Sequence, residues 1–310
     1  MSTAEVVRVV RECADTRTSL RICANSNWLD AGRPVQADKT LSLGDDSGVV
    51  SYVPGDLTLT ARAGTSLAEI QRATKEHDQW LPLDPYGSDE GSIGATIATA
   101  SAGPLASSFG LPRDLVLGIE FVNGRGDVIR AGGKVVKNVA GFDLSRLVTG
   151  SWGTLGVITE VTLRLYARPK ADRTFVARLP GNEKDLRTIL FSFRNSGLAP
   201  YAMELLSATA SKALRVGDAP LCLLRFGGNA ALVDVQARAA STLMRVEEAP
   251  TEIWDRLRLL ETHADEVIRV SALPVQFFSA ASKMLSEQLP GVFMYISILR
   301  GVMRVLTLPS

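Results

Sequence analysis

The sequence predicts an α+β fold in two domains. Short runs of β-branched and aliphatic residues alternate along the whole chain with amphipathic segments of helical length. The 310 residues exceed one average domain. Fourteen of the 26 glycines lie between residues 87 and 156, and glycine becomes sparse after Pro169. This change in composition predicts a boundary near residue 170, with domains of 1–170 and 171–310.

The first domain reads as a helix, a strand and a loop, followed by a compact strand, strand and helix pattern. A Pro-Gly-Asp turn separates two of the strands, as in a hairpin, and an S-x-x-E pattern begins the second helix. The predicted elements are a helix over 4–14, strands over 20–23, 49–53 and 57–63, a helix over 66–77, strands over 116–122 and 127–130, a short helix capped by Asp143, and a strand over 157–165.

Downstream of the boundary, the same rules predict a second α+β domain without an obvious motif. Its predicted elements are strands over 175–179 and 221–226, helices over 183–196 and 231–244, and two final strands around Gly301.

The composition excludes several classes of function. With 34 basic and 33 acidic residues, the formal net charge of +1 offers no cationic surface for nucleic acid. Cys13, Cys23 and Cys222 form no CxxC or cysteine–histidine cluster, so no disulfide framework, zinc site or iron–sulfur site is indicated. Arg300 and Arg304 interrupt the only long apolar run. We expect a cytoplasmic chain without a transmembrane segment, bound metal or nucleic acid.

Three stretches are candidates for holding a ligand. Gly150, Gly153 and Gly156 would let backbone amides approach a flat or anionic group, because no Cβ intervenes and positive φ costs little. A turn-rich segment at 23–34 and a run of small residues at 83–118 are the other two. The segment at 23–34 is also explained by turn statistics as an ordinary surface turn, and the run at 83–118 is also explained by tight protein packing.

The sequence offers few catalytic candidates. His77 follows an amphipathic helix and His263 lies in a charged segment, so each is also explained as a solvated helix residue. Asp143 is best explained as a helix cap. No G-x-G-x-x-G links a first strand to a helix with an acidic residue at the expected distance, which disfavours a dinucleotide-binding Rossmann domain.

Four blocks of sequence resemble one family. They are NSNWLDAGRP at 25–34, TARAGTSLAEI at 60–70, LPRDLVLG at 111–118 after a GP pair, and KNVAGFDLSRLVTGSWGTLGVITEVTL at 137–163. In this order they are similar to the FAD-binding subunits of bacterial glycolate oxidases, which are flavoproteins of the vanillyl-alcohol-oxidase and p-cresol-methylhydroxylase type. The resemblance implies a two-subdomain FAD-binding domain followed by a smaller α+β domain, which matches more faintly at GVMRV.

The resemblance also implies which residues bind FAD non-covalently. The first loop would wrap the pyrophosphate with backbone N–H groups, the second segment would lie against flavin and pyrophosphate, and the third would border the flavin or the adenine. Relatives commonly carry consecutive glycines in the first loop, where this chain has hydroxyl and amide side chains. The implied residues are Ala24, Asn25, Ser26, Asn27 and Trp28, then Ser92, Ile93, Gly94 and Ala95, then Gly153, Thr154, Leu155, Gly156, Val157 and Ile158.

Catalysis is not assigned to this chain by the resemblance. The histidine-bearing acidic and glycine-rich motif of the family's catalytic subunits is missing from the carboxyl-terminal half. Lys134 or Lys137 would favour an anionic reduced flavin if either lies near the ring, and a solvated surface lysine is the other interpretation. Relatives also continue past GVMRV with a segment that returns to the flavin domain, so we expect FAD to be retained less tightly here.

The implied function is the FAD-binding subunit of a heteromeric glycolate oxidase or dehydrogenase that acts on a small 2-hydroxy acid. Its implied partners are a catalytic flavoprotein subunit and an iron–sulfur subunit, and attachment at the inner face of the cytoplasmic membrane stays open. Two alternatives remain: a self-sufficient FAD-dependent 2-hydroxy-acid dehydrogenase, and a non-catalytic assembly subunit whose flavin site has decayed.

Overall fold

The computed structural model describes residues 1–25, 31–32, 35–133, 142–286 and 289–307. Its helices are α1 Thr3–Thr16, α2 Leu67–Lys75, α3 Ile93–Thr99, α4 Ala106–Phe109, α5 Pro112–Leu115, α6 Leu144–Val148, α7 Glu183–Asn195, α8 Ala208–Ala213, α9 Ala230–Leu243, α10 Ile253–Leu259 and α11 Phe277–Ser286. Its strands are β1 Leu20–Cys23, β2 Lys39–Ser42, β3 Val49–Val53, β4 Thr58–Arg62, β5 Gln79–Trp80, β6 Val116–Val122, β7 Val128–Gly132, β8 Val157–Arg164, β9 Tyr166–Ala167, β10 Ala171–Arg178, β11 Ala202–Leu206, β12 Leu221–Gly228, β13 Val246–Ala249, β14 Glu266–Ser271, β15 Val292–Ser297 and β16 Val302–Thr307.

The chain divides into two compact units. Unit 1 comprises 1–102 and 110–168, and unit 2 comprises 103–109 and 169–310. Each unit has its own buried apolar cluster. The α+β prediction is confirmed. The assignment of FAD binding to 1–170 stays a prediction, because compactness alone assigns no function.

Unit 1 is built on an antiparallel sheet in the order β3-β4-β8-β6-β7. Strand β8 lies at its centre, where Val161 and Leu163 are fully buried, as its run of β-branched and aliphatic residues predicts. Helix α1 packs on β6, and α3 packs on β4 and β8. A separate parallel pair joins β1 to β2. The first domain's predicted strands therefore lie in one sheet, apart from β1.

Side-chain caps begin the two predicted N-terminal helices. The Ser2 hydroxyl accepts the N–H of Glu5, whose carboxylate accepts the N–H of Ser2 at 2.7 Å, which makes a reciprocal capping box for α1. The Ser66 hydroxyl accepts the N–H of Glu69 at 3.1 Å and begins α2. That helix ends at Lys75, earlier than predicted, and the His77 ring packs edge-on against Tyr52.

Unit 2 contains a sheet of antiparallel strands in the order β13-β10-β12-β11-β15-β16-β14. The side chains of Phe175, Leu224 and Ile296 share an apolar cluster with residues of α7, α9 and α11. No helix in the described part of the chain is both long enough and apolar enough to cross a membrane.

Candidate functional site

The first implied FAD segment directly follows β1. The N–H of Leu43 bonds to the Cys23 carbonyl at 2.8 Å, which holds the end of β1 beside the end of β2. Beyond it the exposed Asn25 donates from its amide nitrogen to the carbonyl of Glu90. This loop therefore lies next to the segment that leads into α3. Ser26, Asn27 and Trp28 fall outside the described residues.

The second implied segment forms the start of α3. The Ser92 hydroxyl accepts the N–H of Ala95 at 3.3 Å and caps the helix. The N–H of Gly94 donates to the Ala63 carbonyl at 2.8 Å, and a Cβ on Gly94 would lie 2.7 Å from the Cβ of Ala63. Ile93 is fully buried in the core. Contact with the protein's own backbone thus explains the glycine, and Ala95 is the residue here that stays partly exposed.

The third implied segment begins in a loop that contacts both α3 and β1. The N–H groups of Gly150 and Trp152 donate to the carbonyls of Ile97 and Ala98, at 3.0 and 2.8 Å. Gly153 has φ +74°, and a Cβ there would lie 3.2 Å from Cδ1 of Ile22 on β1. The structure therefore brings the loop after β1, helix α3 and the loop at 150–155 into one neighbourhood.

Between residues 152 and 158, exposed side chains occur only up to Leu155. Trp152, at a strained φ of +55°, is 52 % exposed, Leu155 is 44 % exposed, and Thr154 is exposed. A Cβ on Gly156 would lie 2.5 Å from the Val122 carbonyl oxygen, and Val157 and Ile158 are core residues of β8. A contact from these last three residues to a cofactor would have to come from the main chain.

Ser151 was not identified from the sequence, although it lies in the same loop. Its hydroxyl is buried and has no hydrogen-bond partner among the described residues. A buried hydroxyl without a partner is costly, so a ligand atom at this position would be favoured. The quoted block contains this residue between two glycines, but only the fold shows that its hydroxyl is both buried and unpaired.

The described residues fit a large cofactor that has both aromatic and polar groups. Asn25 and Ser151 supply an amide and a hydroxyl, and Trp152 and Leu155 supply exposed apolar surface. This set is consistent with FAD.

Other candidate residues lie elsewhere. His77 packs against Tyr52 in unit 1, and His263 is exposed in a 3₁₀ turn of unit 2. Lys134 and Lys137 lie outside the described residues. No catalytic base is therefore identified among the residues that the structure describes.

Two buried carboxylates of unit 1, Asp46 and Glu120, are not among the implied FAD residues. Burial raises the pKa of Asp46 above its usual range, although Arg62 lies 3.6 Å away and opposes the shift. Glu120 is also buried, but hydrogen bonds from Thr159, Arg130 and Thr3 outweigh the desolvation and lower its pKa. None of the contacts described for these two carboxylates reaches the 150–155 loop.

Comparisons with known proteins indicate an FAD-binding fold and similarity to oxidases of 2-hydroxy acids. A family model described as an FAD binding domain matches residues 1–132. The chain is 34 % identical over 251 residues to glycolate oxidase subunit GlcE of Escherichia coli, covering 80 % of this chain and 66 % of the relative. It is 32 % identical over 216 residues to a mitochondrial D-lactate dehydrogenase [cytochrome] of Arabidopsis thaliana, covering 64 % of this chain and 38 % of the relative. The chain thus spans about two thirds of the first relative and much less of the second.

The fold is also that of a solved structure. Substrate-bound p-cresol methylhydroxylase superimposes with a TM-score of 0.71 at 13 % identity, covering 100 % of this chain and 73 % of that one. Together with the matched FAD binding domain, this similarity shows that the chain has the FAD-binding fold of the vanillyl-alcohol-oxidase and p-cresol-methylhydroxylase type.

Proposed function

We propose that this chain is the FAD-binding subunit of a heteromeric glycolate oxidase or dehydrogenase, and that it takes part in oxidising a 2-hydroxy acid to a 2-oxo acid. The observation that supports this most is the 34 % identity with the glycolate oxidase subunit over 251 residues. The neighbourhood of the β1 loop, α3 and the 150–155 loop adds structural support.

In this proposal the chain's own residues bind and orient FAD. The Ser151 hydroxyl and the Asn25 amide donate hydrogen bonds to the cofactor, while Trp152 and Leu155 cover an aromatic ring and exclude water from it. When bound, FAD supplies an acceptor for the two electrons that leave the carbon bearing the hydroxyl group. The other described residues of the implied set, Ala24, 92–95, Gly153, Thr154 and 156–158, act mainly through their backbone or by shaping the loops.

The proton transfer is assigned to a partner. Oxidation of a hydroxy acid needs a base for the hydroxyl proton and a cation for the carboxylate. The two histidines of this chain have positions explained by packing or solvent. We therefore propose a catalytic flavoprotein subunit and an iron–sulfur subunit as partners, with the latter carrying electrons away. Lys134 or Lys137 would add positive charge if near the flavin.

An FAD titration of the purified chain tests the binding role. We expect FAD to bind, and Ser151→Ala to weaken binding about fivefold to tenfold, as loss of one net hydrogen bond of about 1 kcal/mol implies. Thermal unfolding without FAD should occur at the same or a slightly higher temperature, since the hydroxyl has no partner to lose among the described residues and its unpaired burial is costly. Ser211→Ala is the matched control, because Ser211 in unit 2 also has a buried hydroxyl without a partner among the described residues.

Reconstitution of the complex tests the function. Glycolate oxidation by the partner subunits should require this chain, and full activity in its absence would contradict the proposal. Stable assembly with this chain but without FAD bound to it would instead indicate a non-catalytic assembly subunit.

A self-sufficient dehydrogenase is the second candidate, favoured by the 32 % identity with the D-lactate dehydrogenase. Such an enzyme would bleach its own flavin when a 2-hydroxy acid is added under anaerobic conditions, and would turn over with an artificial electron acceptor. Absence of both with the FAD-loaded chain would dismiss this candidate without affecting the subunit proposal.

A further inference from the structure

One edge of the unit 2 sheet carries exposed apolar side chains and has no further strand paired to it among the described residues. Strand β14 lies at the end of the strand order, bonded to β16 on one side, and all six of its residues are exposed. Val267, Ile268 and Val270 are 43 %, 55 % and 38 % exposed. Leu273 and Val275, which follow directly, are also exposed. An exposed edge of this length and composition readily pairs with another strand.

The opposite edge of the same sheet is protected. Strand β13 spans only Val246–Ala249, and two of its four residues are the glutamates Glu247 and Glu248. Glu248 is also held by a bidentate ion pair with Arg173. Short length and charge are the usual means of blocking edge pairing. Exposed apolar residues therefore characterise the β14 edge and not the β13 edge.

The main chain of β14 determines what can cover this edge. Its register with β16 is regular from Glu266 to Ser271, and the N–H of Ala272 continues it by bonding to Gly301. In an antiparallel pair every second residue directs its N–H and C=O to the neighbour, and the residues between direct theirs outward. Val267 and Arg269 therefore present main-chain groups at the open edge. Water can satisfy these groups in the isolated chain, and another extended segment can replace that water along the whole row.

We propose that a second copy of this chain pairs with β14, antiparallel, so that the two unit 2 sheets become continuous across a two-fold axis. The strand is self-complementary in this arrangement. Its acidic start, Asp265 and Glu266, lies opposite the part of the other strand that carries Arg269, and the two-fold axis repeats this attraction at both ends. In the pairing that places Asp265 opposite Arg269, Val267 faces its equivalent on the axis, and Ile268 lies opposite Glu266 of the other copy.

Sedimentation equilibrium of the 310-residue chain tests the pairing. We expect a dimer, and Arg269→Glu should raise its dissociation constant at least tenfold by placing acidic residues opposite each other. Arg245→Glu is the matched control. It makes the same charge change next to β13, where Arg245 pairs with Glu247, and should leave the dimer intact.

Mixing two variants tests whether a loss of dimers is caused by misfolding. Asp265→Lys with Glu266→Lys should also block self-association, and mixing this protein with the Arg269→Glu protein should restore dimers, because the charges become complementary. In the unaltered chain, hydrogen exchange of the β14 amides should slow as concentration rises. A monomer at all concentrations, a dimer insensitive to Arg269→Glu, or a variant that instead loses only a partner subunit would each overturn the proposal.

Discussion

Gly156 is held against the backbone of the neighbouring strand, and this contact makes it sensitive to any side chain. An added Cβ would meet the Val122 carbonyl oxygen at 2.5 Å and the Phe121 ring at 2.8 Å, in a backbone conformation that favours glycine. We expect Gly156→Ala to destabilise the chain by about 2–4 kcal/mol. The loss should appear in denaturant unfolding without FAD. Gly124→Ala, where no atom lies within 4 Å, should have little effect.

Asp46 is a second residue whose surroundings give a test. Its carboxylate is buried and one oxygen has no partner among the described residues, so burial raises its pKa above the usual value near 3.8. The folded state then binds a proton more readily than the unfolded state, and the contribution of this group to stability is lost as pH rises through its folded pKa.

Replacing Asp46 with Asn should therefore remove this pH dependence. We expect the free energy of unfolding of Asp46→Asn, relative to the unaltered chain, to increase as pH rises from about 4 upward. Urea unfolding at several pH values measures it. A relative stability that falls with rising pH would mean that the Arg62 ion pair, 3.6 Å away, outweighs the burial.

At the level of secondary structure, a buried ion pair ties a 3₁₀ turn to two strands of unit 2. Glu261 lies 2.5 Å from the Arg304 guanidinium of β16 and accepts the Tyr295 hydroxyl of β15 at 2.8 Å. Burial raises the pKa of Glu261 even with Arg304 beside it. Removing one partner of such a pair leaves the other desolvated without compensation.

Arg304→Met should cost about 3–5 kcal/mol for this reason. The pKa of Glu261 should rise further without the cation, so the variant should be less stable at pH 8 than at pH 5, because stability falls as pH rises through a raised carboxyl pKa. Chemical denaturation at both pH values measures this. A loss equal at both would show that Arg304 contributes packing alone, and the exposed Arg245→Met provides the control.

The elements that could be predicted from sequence are those with a local signal. Ser2, Ser66 and Asp143 mark helix starts by side-chain caps, and β8 is predicted by its run of β-branched and aliphatic residues. Strand β11 was missed because its buried Glu204 is stabilised by Ser297, 93 residues away, which no local pattern shows. Helix α3 was missed because its small residues have no amphipathic period.

The same limit applies to the site. The resemblance pointed to three separate segments, but their neighbourhood depends on contacts such as Trp152 with Ala98 and Gly153 with Ile22, which no local pattern shows. Glycine spacing could not show that Gly94 and Gly156 are needed for protein packing, because the same residue type serves both purposes. The unpaired hydroxyl of Ser151 is likewise a property of the folded chain.

For the whole molecule, the two separate cores predict that FAD stabilises one unit and not the other. A ligand that binds only the folded state at a hundredfold excess over its Kd adds about 2.7 kcal/mol, which corresponds to about 5–10 °C in Tm for a unit of this size. We expect calorimetry to show two transitions, with FAD raising only that of unit 1. Gly156→Ala should lower that transition and Arg304→Met the other, which assigns each to its unit, since Gly156 lies in unit 1 and Arg304 in unit 2. A single transition shifted by both variants would mean that the units unfold together, and FAD bound tightly without any shift in unit 1 would contradict the proposed location of its site.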